Sequence, residues 1–576
     1  MQYPWRESYD PWFPAHLQYP EHTMYEAVAD AASRFESENA ITYFNLTLTY
    51  AELMAEIDRA SKALKADGFM PKDVITICLP NIPQAVILFY AVNRMGGICN
   101  MMHPLSPAAE IVKNMKRTNS RVLFILDAQR KKLGIDLEDN HIRRIVPCSA
   151  ATYMDRLTAT LFKLKYARRI GRIPTGEPYL SFPDLLAKAD GQGYPQVYSR
   201  PVRSPAVYLH SGGTTGEPKT IVLSDYQFNA LAVQGPGIVG ESNAPVDMRR
   251  HSHIAILPFF HGFGLAIGLH MMLSLGIRIV LVPKFTPGDF AHVVKKHRPT
   301  ILAGVPTLFT GMIRAKKLRK ADLSHLRHVF CGGDLLTPEL RRRFETFLQA
   351  HGADIRVREG YGLTETVTVN TVNPFLGNKE GTVGLALSDM YLKICSLENG
   401  EPLPAGEHGE ICVTGPTVML GYLNDSEATK HTLRMHDDGL TWVHTGDLGY
   451  LDNEGYLVFL QRLKRIIKVS GVPVFPSEIE KLAEQIPGVK AVAAVSMPHP
   501  YKMEVVCLFV VKTADAEADA LTAAIQERIE KEMLIYAKPA AIRYLDALPE
   551  TLVGKVDVLE LEKKARAISQ RGASEG

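Results

Sequence analysis

Residues Tyr208 to Ser224 read YLHSGGTTGEPKTIVLS, with three glycines, four Ser/Thr hydroxyls and a lysine before the apolar exit. Glycine reaches positive φ and lets the backbone approach a ligand closely, so such a loop can turn successive N–H groups onto phosphate oxygens. Ser211, Thr214 and Thr215 add hydroxyl donors, and Lys219 adds a compact positive charge. The spacing is not that of a Walker loop, which closes on Gly-Lys-Ser/Thr; here Gly216 is followed by Glu217. Read alone, the stretch is a glycine turn.

Further stretches carry groups of the same kind. REGYGLTET (Arg358–Thr366) places an aromatic ring, hydroxyls and a carboxylate together. WVHTGDLGYLDNEGYL (Trp442–Leu457) holds Asp447 in a glycine-flanked turn, QRLKRIIKVSG (Gln461–Gly471) is cationic, and LPETLVGKV brings Lys555 after a glycine. Singly, Tyr361 reads as a core aromatic, Asp447 as a turn former and Lys555 as a solvated cation. LPFFHGFGL contains His261 with His251 and His253 nearby, but no Cys or carboxylate clusters with them, which argues against a metal centre there.

These pieces need a scaffold larger than one core, because 576 residues exceed the ~250–300 at which single cores stop growing. The composition, 46% hydrophobic and 22% charged, is that of a globular chain, and a net charge of +3 gives no global attraction to nucleic acid. Seven scattered cysteines without a CxxC fit a reducing compartment, and the N-terminus shows no secretory pattern, so a cytoplasmic location is expected. Ile254–Pro283 is long enough to span a bilayer, but its glycines, His261, His270, Arg278 and Pro258 break it into a strand, a turn, a small-residue helix and a second strand. DVITICLP, RVLFILD, IRIVLVP, TILAGVP and LRHVFCGG read as strands alternating with helices, which predicts a layered α/β domain over residues 1–462. Residues 463–576 have the texture of a small α+β domain, with a helix from about Asp519 to Met533. LFKLKYARRIGRIP (Leu161–Pro174) has five cations and no acid; it reads as a solvated helix face, with weak contact to an anionic membrane surface as the other reading.

In this order and at these distances the stretches resemble the core motifs of the AMP-forming adenylating enzymes, from LTYAEL (Leu48–Leu53) to Lys555. REGYGLTET, GPTVMLGY (Gly415–Tyr422) and VFPSEIE (Val474–Glu480) are most similar to fatty acyl-CoA synthetases. The resemblance implies a large multi-sheet domain and a small mobile one, with ATP, Mg²⁺ and coenzyme A as cofactors and a carboxylic acid as substrate. It assigns Ser211, Gly212, Gly213, Thr214, Thr215, Gly216 and Lys219 to the β/γ-phosphates, Thr364 to the α-phosphate and Glu365 to Mg²⁺. Tyr361 and Gly362 would meet adenine, and Gly332, Gly333 and Asp334 would line the adenine and acyl sites. Asp447 and Arg462 would hold the ribose, and His261 would border the acyl and thiol channels. Lys555 would bridge carboxylate and α-phosphate. Lys464 matches the hinge, and Lys468 and Gly471 fall on the segment that reaches the thiol tunnel. Thr220 stands where the family usually has glycine, Arg465 where an acid is common, and Asp557 where a basic residue often follows the lysine. Two other readings are a fatty acyl-AMP ligase serving a carrier-protein phosphopantetheine, and a non-enzymatic nucleotide-binding protein.

Overall fold

The structure, a computed structural model, describes residues 5–129, 141–170, 176–193, 197–211, 218–243, 246–470, 472–551 and 556–574. Gly212–Gly216, Gly471 and Lys555 therefore lie outside the described residues.

Two layered sheets form the bulk of the molecule. In the first, strands Val357–Tyr361, His328–Cys331, Ile301–Gly304, Ser252–Ala255, Arg278–Leu281 and Asn39–Tyr43 lie side by side and parallel. Antiparallel strands extend it at both edges to nine. In the second, Pro205–His210, Ile98–Met101, Val74–Cys78, Val122–Leu126 and Arg144–Cys148 are parallel, and Thr220–Ser224 and Gly421–Tyr422 continue the sheet antiparallel. The strand sequences are β-branched on both faces because helices cover both. Helix Pro83–Arg94 is buried along its whole length, which accounts for a sequence that is apolar on nearly every side. The helix that begins in LTYAEL, Tyr50–Ala66, starts on a capping box in which Thr49 and Glu52 satisfy each other's backbone N–H groups.

A third, antiparallel sheet joins Tyr391–Cys395, Gly409–Thr414, Thr441–Leu451, Leu433–Met435 and Leu457–Arg462. The fourth sheet begins at Ile467–Val469 and continues through Val472–Val474, Val489–His499, Met503–Lys512 and Ala541–Tyr544. It has its own apolar core, to which helix Ala518–Glu532 gives Leu521, Ile525 and Ile529. The chain is thus a large α/β part with a small α+β part at its C-terminal end.

The apolar stretch after Ile254 differs in one respect from a small-residue α-helix. Phe263–Met271 is a π-helix, followed by one short α-turn and the strand Arg278–Leu281. A Cβ on Gly264 would lie 2.1 Å from the Pro258 carbonyl oxygen, so only glycine fits this entry. The π-helix carries His270 inward, where its Nε2 bonds Asn229 Oδ1 at 2.8 Å. No helix among the described residues is long and apolar enough to cross a membrane.

Candidate active site

The parallel strands of the first sheet end on one edge, where loops after Ala255, Gly304, Cys331 and Tyr361 converge, the position where open α/β sheets hold ligands. Close packing without side chains makes the convergence possible. A Cβ on Gly362 would lie 1.4 Å from the Thr368 carbonyl oxygen, and one on Gly262 would lie 2.0 Å from that of Val367. Val367 itself has φ of 65°, a costly conformation for a β-branched residue, directly after the 3₁₀ turn Thr364–Thr366. The FFHG loop, with His261 beside Phe260 at 4.7 Å between ring centres, is therefore pressed against the turn that presents Thr364 and Glu365. A Cβ on Gly332 would lie 3.3 Å from the Phe263 ring and from the Gly360 carbonyl oxygen. Gly333 has φ of 81° and lies near Val305. Asp334 is exposed, and its Oδ1 accepts the next backbone N–H.

Three of the residues named from the sequence form one cluster. Tyr361 donates its hydroxyl to Asp447 Oδ2 at 2.6 Å, and its ring stacks on Phe459 at 5.8 Å. Asp447 and Arg462 are opposite one another in the hairpin of Thr441–Leu451 with Leu457–Arg462, and Arg462 Nε lies 2.9 Å from Asp447 Oδ1. Burial pushes the Asp447 carboxyl up to about 6, against the opposing pull of Arg462 and the Tyr361 hydroxyl.

A second group joins Lys219 to Glu365 through a residue to which no role was given in the sequence. Tyr422 donates its hydroxyl to Glu365 Oε1 at 2.8 Å, and Lys219 Nζ lies 4.5 Å from the centre of the Tyr422 ring. Strand Gly421–Tyr422 pairs with Thr220–Ser224, and the Met419 N–H donates to the Glu365 carbonyl at 2.8 Å, so one short segment ties the loop exit to the Glu365 turn. Ser211 and Lys219 close the base of the glycine loop: the Ser211 N–H donates to the Lys219 carbonyl, and the Lys219 N–H donates to Ser211 Oγ, each at 3.0 Å. Arg117 Nη1 donates to the Pro218 carbonyl at 2.6 Å. The charge of Glu365 helps raise the Asp447 pKa, so the two groups sense each other electrostatically. With Tyr422 on Oε1, the other oxygen of Glu365 suits a hard cation that takes most of its ligands from phosphates and water, as Mg²⁺ does.

Thr220 has a use that its departure from the family pattern did not reveal. Its side chain is buried at 2%, with Oγ1 3.3 Å from His210 Nδ1. His210 Nε2 lies 2.8 Å from Asn100 Oδ1, a carbonyl oxygen, which makes Nε2 the donor and Nδ1 the acceptor. Asn100 in turn donates to Thr76 and Asn114. Burial drops His210 to about 3, so the ring stays neutral and the network stays uncharged. Glu410 is the other residue not singled out. Its two oxygens accept from His444 Nδ1 at 2.7 Å and from the Gly446 N–H at 2.9 Å, which fixes the turn that presents Asp447. Burial raises its pKa, but these two hydrogen bonds together with nearby positive charge outweigh it and hold the carboxyl below its usual value.

Glu410, Cys412 and His444 also have ligand-type atoms within 4.8 Å of one another. Their hydrogen bonds satisfy the carboxylate, and His436 Nε2 meets His444 Nε2 at 2.9 Å, so the cluster is complete without an ion. His251 and His253 belong elsewhere: His253 is buried in the first sheet and pushed down to about 4, and His251 packs beside His328 at 5.7 Å. Lys464 lies in the 3₁₀ turn Leu463–Arg465 between the third and fourth sheets, and the Lys468 N–H donates to Glu504 Oε2 at 2.9 Å.

Comparison with known proteins agrees with this geometry. Residues 28–423 match the AMP-binding enzyme family and residues 478–555 its AMP-binding enzyme C-terminal domain. The chain belongs to this family, as an adenylate-forming acyl-CoA synthetase. It is 30% identical over 567 residues to a long-chain-fatty-acid–CoA ligase of Bacillus subtilis, covering 96% of this chain and 97% of that one. It is equally 30% identical over 563 residues to a 4-coumarate–CoA ligase 2 of Oryza sativa subsp. japonica, covering 96% and 93%. ATP-bound MatB from Rhodopseudomonas palustris superposes with a TM-score of 0.78 at 25% identity, covering 96% and 100%.

Proposed function

We propose that this enzyme activates a fatty acid. The acid's carboxylate attacks the α-phosphorus of ATP and pyrophosphate departs with the bridging oxygen, leaving an acyl-adenylate. The thiol sulfur of coenzyme A then attacks the acyl carbon, the thiol proton is lost, and AMP leaves with the acyl–oxygen electron pair. The observation that carries this reading is a pair of groups assembled from segments of three sheets: Tyr361, Asp447 and Arg462 in one, Lys219, Tyr422 and Glu365 in the other. The first suits a nucleoside: the Tyr361 ring would meet adenine, and the ribose hydroxyls can donate to the Asp447 carboxylate while the Arg462 guanidinium donates to their oxygens. The second suits a polyphosphate with its Mg²⁺, which Glu365 would hold, neutralising charge as the anions meet. Gly212–Gly216 would supply N–H donors and Lys555 a charge at the reacting phosphate. Thr364 would reach the α-phosphate, and Gly362, Gly332, Gly333 and Asp334 would border the adenine.

The apolar Phe263 and Val305 beside Gly332 and Gly333 support an aliphatic chain, with His261 at the channel wall. The turn Leu463–Arg465 is the proposed hinge, dividing residues 1–462 from 463–576, so that Lys468 and Gly471 approach the thiol in the second step. Pyrophosphate release over short, medium and long aliphatic acids, aromatic acids and amino acids, with and without coenzyme A, tests the reading. Long aliphatic acids should turn over fastest and yield CoA thioesters. A preference for aromatic acids would overturn the fatty-acid assignment, and adenylate that transfers only to a carrier-protein thiol would overturn the coenzyme A step.

A further inference from the structure

Helix Arg156–Ile170 has two apolar stripes, and only one of them is covered. Ala159 and Phe162 pack against the main core, and Phe162 also meets Tyr166 at 4.5 Å between ring centres. Leu157, Leu161 and Leu164 face away, 72%, 59% and 71% exposed, on one line at i, i+4 and i+7. Single exposed leucines are ordinary, but three in register on one helix are not explained by surface statistics. The stripe continues one turn further to Arg168, with Lys165 beside it, both exposed; Arg156 and Lys163 are exposed as well. No acidic side chain occurs between Arg156 and Ile170. A solvated helix face would carry charges where these leucines stand.

We propose that this face docks the enzyme on an anionic lipid bilayer. The leucines would enter the boundary between headgroups and acyl chains with the helix lying flat, and Lys165 and Arg168 would sit among the phosphates. Charge selects this occupant: Arg156, Lys163, Lys165 and Arg168 around a short apolar stripe, with no acid in the helix, complement a negative surface with an apolar layer beneath it. The proposal stands apart from the choice of acyl substrate.

Flotation of the full-length protein with phosphatidylcholine vesicles, with and without phosphatidylglycerol, tests it. The chain should partition onto the phosphatidylglycerol vesicles, weakly onto phosphatidylcholine alone, and less as salt rises. Combined Lys165→Glu and Arg168→Glu should reduce binding by about tenfold or more. Combined Leu157→Ser, Leu161→Ser and Leu164→Ser should reduce it by about as much, while turnover of a soluble short-chain acid stays unchanged. Failure to bind, equal binding to both vesicle types, or unchanged binding by either variant would overturn the proposal. So would a dimer without vesicles that the triple serine variant dissociates, because a second copy of this chain would then cover the stripe.

Discussion

Tyr361, Asp447 and Arg462 meet through side chains on regular strands, held by a buried hydrogen bond and an ion pair across a hairpin. Ser211 and Lys219 instead meet chiefly through their backbones at the neck of a loop, and the Lys219 side chain is exposed, resting on Tyr422. The proposed ribose side is thus built on strands whose register alone brings Asp447 opposite Arg462. The proposed phosphate side is a frame of backbone hydrogen bonds around Ser211 and Lys219, with the Lys219 cation set on the Tyr422 ring. A rigid recognition end and a recruiting catalytic end suit a reaction in which the nucleoside stays still while pyrophosphate leaves and a new nucleophile enters.

The largest expected effect breaks the recruiting end and leaves the rigid one intact. Lys555→Ala should slow ATP–pyrophosphate exchange by about 10²–10³-fold, the usual consequence of removing a charge aimed at the transition state. Adenosine binding, and thioester formation from a supplied acyl-adenylate, should be preserved. Exchange at the native rate in this variant would remove Lys555 from the phosphate side and with it half of the contrast.

How much of this division was readable from sequence depends on how far apart the partners lie. The strands of both large sheets were legible because β-branched runs such as VITIC and RIVL are bounded by Gly and Pro, and the C-terminal helix because Leu521, Ile525 and Ile529 recur at helical spacing. Tyr361, Asp447 and Arg462 could be named through their motifs, although only the hairpin register shows that they touch. Tyr422 closes the GPTVMLGY motif but received no role, because Glu365 is 57 residues away and Lys219, at the exit of the glycine loop, is about 200 residues away. Glu410 was not singled out, since the pairing Cys412↔His444 that brings it under the Asp447 turn is a tertiary fact. The π-helix escaped for a different reason: an apolar run with glycines has the same texture in either helical form.

Acidification should sharpen the comparison from the rigid side. Because burial raises the Asp447 pKa to about 6, the folded chain holds this proton more tightly than the unfolded one, and ionising Asp447 costs stability as pH rises through that value. Ribose hydroxyls would donate to the ionised carboxylate, so protonation removes an acceptor and binding should weaken below about pH 6. Adenosine is the suitable probe, because the phosphate of AMP titrates in the same range. Calorimetric titration between about pH 5 and pH 8 should show affinity falling towards acid. Asp447→Asn should flatten that profile and weaken binding at the alkaline end by about 10–100-fold, as expected for hydrogen bonds to a charged group. A flat profile for the unaltered enzyme would detach the carboxylate from the nucleoside.

The smallest expected effect lies at the neck of the glycine loop, where the phosphate side borrows the building method of the ribose side. Thr220, on the strand that leaves the loop, sends its hydroxyl into the neutral network of His210, Asn100, Asn114 and Thr76. Thr220→Val keeps the branched shape and removes only the hydroxyl, so its cost should be that of one buried hydrogen bond, about 1 kcal/mol in denaturant unfolding. Turnover and the KM for ATP should change by less than about twofold, since no transition-state contact is removed. If Thr220→Val instead raised the KM for ATP strongly without loss of stability, the hydroxyl would have to be working on the phosphates. Position 220 would then belong to the recruiting end, and the boundary between the two halves of the site would move inward by one residue.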